Sequence, residues 1–366
     1  MSQPESGEFA SLPEPAEFAS LPEPAEFASL PEPAEFASLP DLASRRLGGS
    51  VVFANDELFA EKENLIKPEP SAFAADAFGN RGKVYDGWET RRRREAGHDH
   101  AIVRLGCPGM VRGIVVDTSF FRGNYPPEIS VEGLCADGYA SPVELAGMRW
   151  QELVAKTAAV GDALNSYPVS DPRRWTHVRL SIHPDGGVAR LRVHGEVVPD
   201  PAFMAGTVDL AAMANGGRVI GCSDAFYSSP SNLIMPGLAR VMSDGWENAR
   251  RRGPGNDYVV VQLASAGRPR YVEVDTSYFV GNAPGWIELS AVGGVGDDDL
   301  TWRPLLPRTR VQPDTRHRFL IDEPGQVTRV RLDVFPDGGL ARLKVYGEVT
   351  AEAAAALAKR WQDTTP

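Results

Sequence analysis

Two stretches of the chain concentrate residues able to do chemistry, and they say nearly the same thing. One reads YDGWETRRRREAGHDHAIVRL from Tyr85, the other SDGWENARRRGPGNDYVVVQL from Ser243. Guanidinium groups fork onto carboxylates with matched geometry, so an arginine run suggests a clamp for a small anion. Side chains of an extended segment alternate in direction, so at most two of Arg91–Arg94 share a face. Arg92, Arg93 and Arg94 have counterparts in Arg250, Arg251 and Arg252, whereas Arg91 faces Ala249 in the second copy. The bland alternative is a solvated edge laced with ion pairs. Beside the arginines stand Asp86, Glu89 and Asp99, candidates for acid, base or turn closure. His98 and His100 form an HxH pair, a spacing that can hold a metal from a strand. The second copy keeps Asp257 but reads Asn256 and Tyr258 for the histidines. A metal site shared by both copies is therefore not expected, and His98 stays a candidate acid or base in one copy only.

A second repeated set is VDTSFFRGNYP from Val116, matched by VDTSYFVGNAP from Val274. It supplies Asp117, Thr118 and Asn124, with twins Asp275, Thr276 and Asn282. Such side chains close loops by Asx and hydroxyl turns. They also present the donors and acceptors that would hold urea-like NH₂ and C=O groups. The PDGG segments followed by Arg190 and Arg342 read as hairpin turns. No GxSxG elbow, P-loop, HExxH or dinucleotide fingerprint occurs.

These residues need a scaffold, and the repeat describes it. VVFANDELFAEKENLIKP from Val51 returns as VIGCSDAFYSSPSNLIMP from Val219, and THVRLSIHPDGGVARLRVHGEV from Thr176 as TRVRLDVFPDGGLARLKVYGEV from Thr328. Two domains of one fold follow. The expected division is a proline-rich tail at 1–40, a first module at 41–204, a second at 205–350, and a C-terminal helix and tail at 351–366. The tail repeats EFASLPEPA from Glu8, Glu17 and Glu26, then EFASLP from Glu35. Proline density and few large apolar groups predict disorder there, most firmly over 1–34. Alternating Val178, Leu180 and Ile182 mark a half-buried strand, and AIVRL at Ala101, GIVVDT at Gly113 and EISVEG at Glu128 read as separate short strands. NDELFA at Asn55 suggests one short helical turn. Short strands at this density predict an all-β chain of two tandem jelly-roll sandwiches.

The bulk numbers bound the function. A net charge of −11 opposes nucleic-acid binding, which rewards a basic surface. No stretch approaches the roughly 18 apolar residues of a membrane span. Three cysteines without CxxC spacing predict reduced thiols and a cytoplasmic protein. Neither a secretory leader nor a peroxisomal or retention address is visible.

Taken together, NDELF, ENLI, DGWETRRRREAGHDH, DTSFFRGNYP and PDGGVARLRVHGE, in order and twice over, resemble the allantoicase family across roughly 41–350. His100 departs from the pattern, since tryptophan is usual there. The resemblance implies two galactose-binding-like jelly rolls and hydrolysis of allantoate to ureidoglycolate and urea in purine degradation. It implies Arg92 or Arg93 on the substrate carboxylate and Glu89 or Asp117 as acid or base, with Asp86 and Asp99 secondary. Thr118 and Asn124 would bind the ureido groups. Glu247, Arg250, Arg251, Asp275 and Asn282 could play the same parts in the second module. A divalent ion such as manganese stays open, as does a homo-oligomer. The competing class is a non-catalytic sugar-binding tandem sandwich. Clustered arginine and acid in place of aromatic platforms favours the anionic substrate.

Overall fold

The structure is a computed structural model. It describes residues 35–366 except 74, 75, 77, 80, 81, 294–300, 323 and 324. The expected disorder of 1–34 lies outside the described residues.

In the N-terminal half the strands that frame the site are β1 (Ser50–Ala54), β2 (Trp88–Glu89), β3 (Asp99–Asp117), β4 (Glu128–Leu134), β5 (Gln151–Ala158), β6 (Leu164–Pro168), β7 (Arg174–His183), β8 (Gly187–Val188) and β9 (Arg190–Val197). One sheet runs β1-β3-β7-β4-β5, and β9 and β6 flank the far end of β3. All these pairs are antiparallel. β3 serves both layers: Ala101 faces Leu180 of β7, whereas Val116 faces Leu191 of β9. The two short strands expected at Ala101 and Gly113 are thus one long one. Its ladder with β7 breaks between Arg104 and Gly109, where the chain passes from one sheet to the other without turning back.

The C-terminal half repeats the plan with β10 (Arg218–Cys222), β11 (Asp257–Asp275), β12 (Trp286–Val292), β13 (Arg303–Arg310), β14 (Arg316–Leu320), β15 (Val327–Phe335) and β16 (Arg342–Val349). Its order is β10-β11-β15-β12-β13, with β16 and β14 on the far end of β11. The jelly-roll sandwich expected from the sequence is the fold of both halves. Trp88, Trp175 and Trp246 are fully buried, and one continuous apolar cluster runs through both halves.

Three local expectations are corrected. The PDGG segments are not hairpin turns, because β7 and β9 pair with different parts of β3 and not with each other. PDGG instead arches over the sandwich edge. Gly187 lies so close to the Phe121 ring that a Cβ would come within 2.0 Å of it. No helical turn forms at Asn55, and a 3-10 helix follows at Lys62–Ile66. Glu35–Pro40 belong to the folded body: Glu35–Ser38 is a 3-10 helix, and Leu42 N donates to Val193 O at 2.7 Å. The C-terminal helix forms at Ala351–Asp363 and lays Trp361 against Arg174 of the N-terminal half, 3.6 Å from guanidinium carbon to ring centroid. No described helix is long and apolar enough to cross a membrane.

Candidate active site

The alternation of β2 separates a packing residue from a chemical one. Trp88 is buried and its indole N–H donates to Asp56 O at 2.8 Å. Glu89 points the other way, to a loop that arrives from the end of β3. There Asn124 Nδ2 donates to Glu89 Oε1 at 2.6 Å. The PDGG arch fixes that loop, since Gly187 N donates to Asn124 O at 2.7 Å. The C-terminal half rebuilds every contact: Trp246 on Asp224 O at 2.8 Å, Asn282 Nδ2 on Glu247 Oε1 at 2.6 Å, Gly339 N on Asn282 O at 2.8 Å. Burial pushes the Glu89 carboxyl above the usual range, and the Asn124 hydrogen bond only partly opposes it. Among the described residues no cation pairs with Glu89.

The arginine run divides by neighbour. Arg91 Nε meets Asp56 Oδ2 at 2.5 Å. Arg93 Nη1 binds Asp99 Oδ1 at 2.5 Å, and Asn55 Nδ2 holds the same oxygen at 3.0 Å. The backbone N–H of Arg93 donates to Asp185 Oδ2 of the arch at 2.7 Å. Arg251 and Asp257 repeat the ion pair, with Ser223 Oγ on Asp257 at 2.9 Å and Arg251 N on Asp337 at 2.7 Å. Arg93 and Arg251 are therefore occupied by carboxylates of their own chain. Arg92 is exposed and makes no ion pair among the described residues, and the same holds for Arg250. Arg91–Arg94 line an open cavity of about 400 Å³ with Asn55, Asp56, Glu95 and Asp99.

Other candidates have structural work. Asp117 is buried and accepts from Ser119 N at 2.8 Å. Thr118 is fully buried and donates to Val160 O at 2.6 Å. Asp275 and Thr276 make the matching contacts to Ser277 N and Gln312 O. These four close the loops that carry Asn124 and Asn282. Asp86 is held by Arg190 Nη2 at 2.6 Å, Lys67 Nζ at 3.0 Å and Ala72 N at 3.1 Å. Burial alone would raise its pKa, but these donors outweigh it and keep the carboxyl low. That is the wrong direction for a proton donor at neutral pH.

His98 is placed among other imidazoles. With His100 and His183 it lines a different cavity, about 370 Å³, on the outer face of the N-terminal sheet. The His98 and His100 rings stand 6.2 Å apart. Among the described residues no group of three or more His, Cys, Asp or Glu is placed to hold a metal ion. Asn55 and Asp185 were missed as partners of the arginine run. Their twins at Ser223 and Asp337 carried the available signal, since both pairs recur at matching places in the repeat.

The geometry has close relatives. A family model described as the allantoicase repeat matches residues 40–198 and 208–350. A probable allantoicase of Nocardia farcinica is 55% identical, covering 84% of this chain and 94% of that one. One from Streptomyces coelicolor is 50% identical, covering 88% and 89%. The crystal structure of allantoicase from Saccharomyces cerevisiae superposes with a TM-score of 0.75 at 35% identity, covering 86% of this chain and 96% of that one. Both repeats match the family model, the fold superposes on a solved allantoicase, and the chain belongs to the allantoicase family.

Proposed function

We propose that this chain hydrolyses allantoate to ureidoglycolate and urea, with Glu89 as the proton donor. The observation that carries the assignment is the Glu89 carboxyl itself. It is raised by burial, pairs with no cation among the described residues and is held by the Asn124 amide. A carboxylic acid that stays protonated nearer neutral pH can protonate a leaving nitrogen.

Allantoate carries two ureido arms and a carboxylate on one carbon. Glu89 gives its proton to the nitrogen of one arm as the carbon–nitrogen bond breaks and urea departs. The lone pair on the other arm's nitrogen forms an imine-like cation at that carbon. Water adds there, and the Glu89 carboxylate takes back a proton, leaving ureidoglycolate. Asn124 is bonded to Glu89 through one amide hydrogen, so its Oδ1 is available to align a ureido NH₂. Arg92, unlike Arg93, has no carboxylate of its own and suits the substrate carboxylate. We place the reaction in the N-terminal half. In the other half Asn282 Nδ2 also sits 3.4 Å from the Met242 sulfur, an apolar neighbour on the twin amide.

Urea release by Glu89→Gln and Glu247→Gln tests this. Glu89→Gln should lower kcat by about 10²–10⁴-fold, the usual contribution of general acid–base catalysis. Glu247→Gln should leave most of it. In the wild type kcat should fall as pH rises through the elevated Glu89 pKa, because the acid form is lost. Wild-type turnover in Glu89→Gln would sink the assignment. Labelled water should enter the hydroxyl of ureidoglycolate; label in urea would instead mean attack at a ureido carbonyl.

A further inference from the structure

The PDGG arginine is the point where the two halves part company. In the N-terminal half Arg190 Nη2 is neutralised by Asp86 Oδ2 at 2.6 Å. Its twin Arg342 is 4% exposed, and its Nη1 donates to Asp244 O and Ala341 O, both at 2.7 Å. Its Nη2 has no acceptor among the described residues. The Asp244 carboxylate, twin of Asp86, is drawn elsewhere. One oxygen is taken by Arg46, reaching across from the N-terminal half. The other accepts from Arg240 N at 2.9 Å and Arg240 Nε at 3.3 Å. The residue matching Arg46 in the second repeat is Ala214, so no arginine reaches back toward Asp86 in the same way.

The result is a cleft of about 360 Å³ between the halves. Arg46, Lys67, Arg240 and Arg342 line it against the carboxylates of Asp244 and Glu69. The Arg46 Nε is buried without a partner among the described residues, and Arg342 Nη2 opens onto the cleft without one. A buried guanidinium with unfilled donors is costly unless an acceptor supplies the missing bonds. In a chain of net charge −11 this is a local cationic site, and its volume is at the small end of ligand pockets, which run from ~300 Å³.

We propose that this cleft binds a small carboxylate, which forks onto Arg342 Nη2 and is steadied by Arg46. The site is separate from the Glu89 loops and stands whether or not Glu89 is the proton donor. Its occupant is a small carboxylate bound apart from the substrate carboxylate assigned to Arg92.

Titration calorimetry of the full chain with glycolate tests the site. One glycolate per chain is expected, with affinity falling as salt rises. Arg46→Met should weaken binding at least tenfold, since Asp244 is then released to neutralise Arg342 as Asp86 neutralises Arg190. Arg240→Met, an exposed change with little bearing on folding, should weaken it severalfold. Glu89→Gln should bind as the wild type does. Absence of binding at tens of millimolar glycolate would overturn the proposal. So would unchanged affinity in both arginine variants, or capture of inorganic phosphate in place of glycolate. Turnover kinetics check that separation. Competitive inhibition by glycolate that disappears in Arg46→Met would put the substrate itself in the cleft and overturn the proposal of a separate site. An unchanged KM for allantoate in that variant identifies an independent carboxylate.

Discussion

The loop contacts that present Glu89 and Glu247 agree between the halves, whereas the twin carboxylates Asp86 and Asp244 part where one of them is reached from the opposite half. Glu89 and Asn124 meet at the same 2.6 Å as Glu247 and Asn282. Trp88 and Trp246 donate to matching carbonyls at the same 2.8 Å. Asp86 and Asp244 are also matched in sequence, yet one binds Arg190 and the other binds Arg46 from the opposite half. A contact within one sandwich is set by a backbone that both copies share. A contact between sandwiches sees a different neighbour in each copy, so identical residues are driven to different partners. Duplication therefore preserves loop chemistry and frees the interface.

The strongest way to break that comparison is to remove the tryptophans. Each ring is fully buried and anchors the strand that presents a glutamate. Trp88→Ala and Trp246→Ala should each cost about 3–5 kcal/mol, the range for emptying a large aromatic site. Denaturant unfolding should give values within about 2 kcal/mol of each other, the scale on which truncations of one residue type scatter. A larger gap would mean that the shared contacts do not carry equal weight.

Much of this was legible in the sequence because repetition doubled each signal. The jelly-roll class followed from alternation such as Val178, Leu180 and Ile182, all fully buried. The pairing of Glu89 with Asn124 was not legible, since nothing local links a strand residue to a loop 35 positions away. Asp117 and Thr118 show why residue type alone does not assign a role. Hydroxyl and carboxylate groups that close a turn have the same residue types as those that bind a ligand, and only burial separates them. The PDGG segment misled, because its turn chemistry suits an arch between sheets as well as a hairpin. Arg46 gave no signal at all: its role depends on how the halves dock.

An acid titration probes a difference between the halves. His177 is buried beside Arg104, and burial first, then that charge, pushes its pKa down to about 4. Its twin in the second repeat is Arg329. Above about pH 6.5 the imidazole is neutral in both folded and unfolded chains, so it adds no pH dependence. As pH falls below that, the unfolded chain takes the proton first. Stability is then lost progressively until the folded form also titrates near pH 4. One pKa unit is about 1.4 kcal/mol, so the loss is on the order of 3–4 kcal/mol. His177→Gln should flatten stability between pH 6.5 and 4. A slope unchanged in that variant would remove His177 as the source of the asymmetry.

The smallest effect lies where the nonapeptide repeat ends. Phe36, in the last copy, lays its ring over Gly113, so close that a Cβ there would come within 2.3 Å of it. His194 flanks it at 6.0 Å and bonds Leu39 O through Nδ1 at 2.9 Å. At the matching place in the other half stand Tyr271 and Tyr346, stacked at 4.7 Å and 19°. Both halves thus cover this part of the sheet with aromatic surface. One draws it from its own strands, the other from the segment before its first strand. Phe36 is half-exposed, so Phe36→Ala should cost only about 1 kcal/mol, a fraction of the ~1.5–3 kcal/mol for full burial. In a Gly113→Tyr, His194→Tyr background the same change should cost nothing measurable, because the sheet then supplies the rings and Phe36 has no seat to lose. Such non-additivity is the mark of residues competing for one place. An equal cost in both backgrounds would show that Phe36 and the tyrosine pair are not substitutes, and that the two halves solved different problems at this position.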